Sequence, residues 1–315
     1  MVNRRDLIKW SAVALGAGAG LAGPAPAAHA ADLEWEQYPV PAAPGGNRSW
    51  QLLPSHSDDF NYTGKPQTFR GRWLDQHKDG WSGPANSLYS ARHSWVADGN
   101  LIVEGRRAPD GRVYCGYVTS RTPVEYPLYT EVLMRVSGLK LSSNFWLLSR
   151  DDVNEIDVIE CYGNESLHGK HMNTAYHIFQ RNPFTELARS QKGYFADGSY
   201  GYNGETGQVF GDGAGQPLLR NGFHRYGVHW ISATEFDFYF NGRLVRRLNR
   251  SNDLRDPRSR FFDQPMHLIL NTESHQWRVD RGIEPTDAEL ADPSINNIYY
   301  RWVRTYQAVH HHHHH

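Results

Sequence analysis

The sequence predicts an all-β fold of two packed antiparallel sheets. Three observations point there. Short runs rich in β-branched and aromatic residues recur along the chain, bounded by Gly, Pro or Asp. Long helical patterns do not alternate with them, which argues against a parallel α/β sheet. Aromatic content is 13%, with ten tryptophans. Some of these rings must fill a core, and others suit an open concave sheet face on which sugars stack.

The elements follow in chain order. Leu101-Ile102-Val103, Tyr117-Val118-Thr119 and Tyr129 to Val136 read as strands. Glu235 to Phe240 and Arg243 to Leu248 flank Asn241-Gly242, the strongest short hairpin signal in the chain. Met266 to Leu270 and Ile298 to Tyr306 add two more strands. The best helix is short and opens at Thr286-Asp287-Ala288-Glu289, a capping-box spelling.

Composition bounds the class. Residues 1–30 read as an export signal: Arg4-Arg5 precede an uncharged stretch from Trp10 to Ala28, and Ala28-His29-Ala30 is a small-x-small cleavage site. The paired arginines favour the twin-arginine route and an extracellular destination. The apolar run is short and broken by Gly and Pro, which argues against a membrane anchor. Residues 31–46 read as an arm or linker, 47–309 as a single domain, and His310 to His315 as a purification tag. Without the signal's net +2 the formal charge of −1 becomes −3. A nearly neutral chain gives no reason to expect nucleic acid or an anionic membrane as partner. Cys115 and Cys161, the two cysteines, are too few for a disulfide scaffold; a pair and two buried thiols remain equal alternatives.

The chemistry concentrates in Asn154-Glu155-Ile156-Asp157-Val158-Ile159-Glu160-Cys161. Side chains alternate along a strand, so Glu155 and Asp157 share a face. Glu160 lies five positions after Glu155, which on a regular strand sends it to the other face. A β-bulge at Val158-Ile159 returns it, and Ile156 and Cys161 then point into the core. Three carboxylates on one face raise at least one pKa, giving a proton donor beside an ionised carboxylate. Retaining glycoside hydrolysis needs that pair. A solvated edge strand would also tolerate such acids. The aromatic flanks Phe145-Trp146-Leu147-Leu148 and Tyr162-Gly163 instead mark an interior strand, where uncompensated acids are costly.

The E-I-D-V-I-E spelling resembles the bulged signature of glycoside hydrolase family 16, the β-jelly-roll family of laminarinases, lichenases, carrageenases and agarases. Tyr117 to Arg121, Phe145 to Ser149, Ile178 to Phe184 and the run Asn271-Thr272-Glu273, Trp277-Arg278 are similar to its agarase branch. The resemblance implies Glu155 as nucleophile, Glu160 as general acid/base and Asp157 as the residue that hydrogen-bonds the nucleophile. It places Trp146, Arg181, Glu273 and Trp277 at the sugar, with Trp73, His177 and His224 as further substrate-binding positions. His177 stands alone where agarases often carry a histidine pair. Catalysis is expected to need no cofactor; a structural calcium is a family habit for which no ligands are assigned. His168 and His171 read as loop residues and not as metal ligands.

The expected function is that of a secreted, monomeric, retaining endo-β-agarase acting on agarose or a related red-algal galactan. Hydrolysis of a sulfated galactan (porphyran or carrageenan) and sugar binding without cleavage are the alternatives. Sulfate recognition would require basic residues in the cleft, and a lectin would leave three inward carboxylates without a purpose.

Overall fold

The computed structural model describes residues 33–311. The expected signal, residues 1–30, and His312 to His315 of the histidine run lie outside the described residues. Strand periodicity is realised in two sheets, one of ten strands and one of eight. Pairing is antiparallel except between Ser87–Tyr89 and Val113–Cys115. The eight-stranded sheet places Asn154–Tyr162 between Ser142–Ser149 and Met172–Gln180. Met266–Glu273 follows on the far side of Ser142–Ser149.

Each expected strand is present. Glu235–Phe240 pairs with Arg243–Asn249; Asn241 and Gly242, with φ of 50° and 78°, take the two positive φ values of a type I′ turn. The helix Asp287–Ala291 is capped by Thr286, whose side chain accepts from the Glu289 amide while Glu289 reaches back to the cap.

The core lies between the sheets. Phe145, Leu147, Ile156 and Tyr176 from the eight-stranded sheet meet Val132, Met134, Phe238 and Tyr300 from the other in one cluster. Each such side chain contributes roughly 1.5–3 kcal/mol on burial. Cys161 belongs to this cluster and Cys115 to a smaller one. Both are buried free thiols, so the two do not pair.

Residues 33–46 pack on the outer face of the ten-stranded sheet. Trp35 is buried edge-on against Trp302, with centroids 6.1 Å apart. Glu34 pairs with Arg301 at 2.6 Å, and Arg304 donates to the carbonyls of Trp35 and Tyr38. At the other end His310 closes the last strand, opposite Arg48. Among the described residues, no helix is long and apolar enough to cross a membrane.

Candidate active site

The strand Asn154–Tyr162 carries the site, and its bulge is where the spacing requires it. Against Ser142–Ser149, Asp157 pairs with Trp146 and Ile159 with Phe145, so Val158 is the extra residue. The register to Met172–Gln180 shifts at the same place. Val158 and Ile159 both turn into the core with Ile156 and Cys161. Glu155, Asp157 and Glu160 therefore share the opposite face, the floor of a cleft of about 590 Å³.

Trp146, His177, Arg181, Glu273 and Trp277 line the same cleft. Trp146 donates its indole N–H to Asn271 at 2.8 Å, and Asn144 donates to the same oxygen at 3.1 Å. Glu273 accepts from the Tyr89 hydroxyl at 2.5 Å. Arg181 lies over the Phe184 ring at 4.8 Å and pairs with Asp152 at 3.5 Å. Trp277 is 46% exposed at the cleft, with Arg281 over its ring at 5.2 Å.

Two expected substrate contacts are corrected. Trp73 is fully buried, packs near Phe60 and donates its indole N–H to Asp58 at 3.0 Å. Strand alternation explains the difference: in Trp73–Leu74 the leucine takes the face that lines a small neighbouring cavity, and the tryptophan takes the core. His224 opens a strand of the ten-stranded sheet, away from the cleft. Its ring packs against Tyr226 and Phe240 and bonds Asn241 at 3.0 Å.

The electrostatics centre on His177. Its Nε2 lies 3.3 Å from Asp157 and 3.6 Å from Glu155, and its Nδ1 lies 3.3 Å from Glu186. Burial opposes its charge, but the carboxylates, Glu155 foremost, outweigh that and hold the imidazole protonated well above its ordinary range. Burial, then the charge of Asp157, pushes Glu155 well above the ordinary carboxylate range, and His177 opposes this. The crowding expected from the sequence thus acts on Glu155, whose ionisation depends on the imidazolium beside it. Burial also raises Glu273, against the pull of His275 and the Tyr89 hydroxyl.

Glu160 has different neighbours. The Tyr162 hydroxyl donates to its Oε1 at 2.6 Å, and His275 Nε2 lies 3.7 Å from the same oxygen. Tyr162 was within reach of sequence reasoning, because it follows Glu160 by two on one strand, a spacing that keeps side chains on one face. His275 was not: it lies past the end of the strand Met266–Glu273, just before the short helix Gln276–Val279, where strand alternation does not apply. Glu186 and Tyr89 gave no local signal, because they reach the cleft from other parts of the chain.

Glu155, Asp157 and His177 form the one three-residue group able to hold a metal among the described residues. Two carboxylates and an imidazole joined by ion pairs do not supply the six to eight oxygens that calcium takes. A structural calcium is therefore not assigned to this group.

A family model described as β-porphyranase A–D, GH16 domain, matches residues 50–308. The chain belongs to glycoside hydrolase family 16. Within the family it is similar to β-agarase AgaB34 of Agarivorans albus, 37% identical over 296 residues, 89% of this chain and 62% of that protein. It is similar to β-agarase AgaA of Microbulbifer thermotolerans, 38% identical over 296 residues, 90% and 64% of the two chains. The chain therefore spans less than two thirds of the length of these two relatives. Among solved structures, β-agarase A in complex with oligoagarose superposes with a TM-score of 0.73 at 30% identity, covering 88% of this chain and 99% of that one. These likenesses agree with the family 16 jelly roll expected from the E-I-D-V-I-E motif.

Proposed function

We propose that this family 16 protein is a retaining, endo-acting β-agarase that hydrolyses the β-1,4 linkages of agarose to neoagaro-oligosaccharides. The observation that carries this reading is the bulge at Val158, which sets Glu155 and Glu160 on one face of the cleft floor. Glu155 attacks the anomeric carbon and the leaving oxygen takes a proton from Glu160; water then releases the glycosyl-enzyme with Glu160 as base. Asp157 and His177 share charge with the nucleophile. Once the sugar bond forms, Glu155 is neutral and the imidazolium is balanced by Asp157 and Glu186. No cofactor enters these steps. The relatives named as agarases support agarose as the substrate.

A second reading, hydrolysis of a sulfated galactan, is favoured by the description of the matching family model. The cleft weighs against it: its walls carry Asp79, Asp152, Glu155, Asp157, Glu160, Glu186 and Glu273 against Arg181, Arg189 and the imidazolium of His177. Such a surface repels polyanions. We also propose secretion through the twin-arginine route, on the strength of Arg4-Arg5, and action as a monomer. Reducing-sugar release from agarose, porphyran and carrageenan separates the readings. Activity on agarose alone is expected. Preference for porphyran or carrageenan would replace the agarase reading, and binding without cleavage would replace the hydrolase.

A further inference from the structure

We infer that Tyr162 is a positioning residue for the general acid, fixing the acidic proton of Glu160 on the oxygen that faces the substrate, with Arg278 holding the Tyr162 ring in place. This rests on the hydrolase reading above. The Tyr162 hydroxyl donates to Oε1 of Glu160 at 2.6 Å. That hydroxyl has one proton, and giving it to Oε1 leaves Oε2 as the oxygen that carries the acid's own proton. As the proton moves to the leaving oxygen, Glu160 becomes a carboxylate. The Tyr162 bond then becomes charge-assisted, and so stronger at the moment of transfer than before it.

The ring is clamped. The guanidinium of Arg278 lies 4.0 Å from its centroid. Trp277 and His275 meet it edge-on at 5.8 and 5.9 Å. Arg278 is itself buried and tied to Glu165 at 3.1 Å and Asn164 at 3.3 Å. A guanidinium so committed does not line the cleft; it stacks behind the tyrosine and limits its rotation. The other titratable groups near Glu160 are Glu273, from the strand beyond Ser142–Ser149, and His275 just past that strand's end, with Cys161 and Asp157 on its own strand. None of these donates a hydrogen bond to Oε1.

The test compares Tyr162→Phe with the wild type. The ring, its packing and the Arg278 stack are kept, and only the hydroxyl is lost. On agarose, whose leaving group needs protonation, kcat is expected to fall about 10- to 100-fold with KM nearly unchanged, the cost of losing a bond to a charged group. On an aryl glycoside with a good leaving group, the loss should stay below about twofold. Arg278→Gln should give a weaker version of the same pattern. Equal losses on both substrates would reduce Tyr162 to a packing residue and overturn the inference, as would unchanged kinetics. A wild-type protein that cleaves none of the three galactans would instead overturn the hydrolase reading and this inference with it.

Discussion

His177 Nε2 stands 3.3 Å from Oδ2 of Asp157, and the same nitrogen reaches Glu155 at 3.6 Å. The two acids come from one strand and the imidazole from its neighbour, through the pairing of Glu155 with His177. The charge on His177 is therefore part of the nucleophile's environment.

Two pH effects follow. His177→Gln removes the cation that lets Glu155 ionise, so the acidic limb of kcat/KM should move to higher pH. The folded-state value of His177 lies above its ordinary 6.5. The stability its charge contributes is thus fully present below about 6.5 and is lost as pH rises through the elevated value. The wild-type unfolding temperature should decline across that alkaline window, and the decline should flatten in His177→Gln. An identical slope in both proteins would show that His177 is not the titrating group.

The two glutamates should separate by leaving group. Glu155→Gln and Glu160→Gln should each lose about 10²-fold or more on agarose. With an activated aryl substrate, Glu160→Gln should still be glycosylated, and azide should release a β-azide. Glu155→Gln should not react under these conditions. The anomer is read by proton NMR, and an α-product appearing first in the wild type would mean inversion.

Deleting Val158 separates the two things the bulge does. The Glu155–Glu160 spacing falls from five to four, so a regular strand keeps both glutamates on the cleft face, while one core side chain is lost. Urea unfolding should show a lower midpoint, and activity on agarose should exceed that of Glu160→Gln. Activity no higher than that of Glu160→Gln would show that the bulge sets the separation of the two carboxylates and not only their face.

Trp73 and Trp277 should behave oppositely. Trp73 is fully buried and Trp277 is 46% exposed. Trp73→Ala should cost about 3–5 kcal/mol of stability. Trp277→Ala should leave stability within about 0.5 kcal/mol while raising KM for agaro-oligosaccharides about tenfold through lost stacking. Calorimetry and steady-state kinetics on the two variants decide it.

The sequence by itself determined the sheets, the hairpin turn at Asn241-Gly242, the capped helix at Thr286 and the bulged acidic strand. These are local: alternation, turn chemistry and a five-residue spacing are written in consecutive residues. Motif matching also brought Trp146, Arg181, Glu273 and Trp277 to one cleft. It failed at Trp73 and His224, where burial and sheet membership depend on which face of a strand looks outward. Only the tertiary structure decided that His177 bridges three carboxylates, that His275 meets Glu160, and that Tyr89 binds Glu273. Most of these contacts join strands and loops distant along the chain. Their geometry, and the desolvation that gives the charges their weight, exists only once the two sheets have packed.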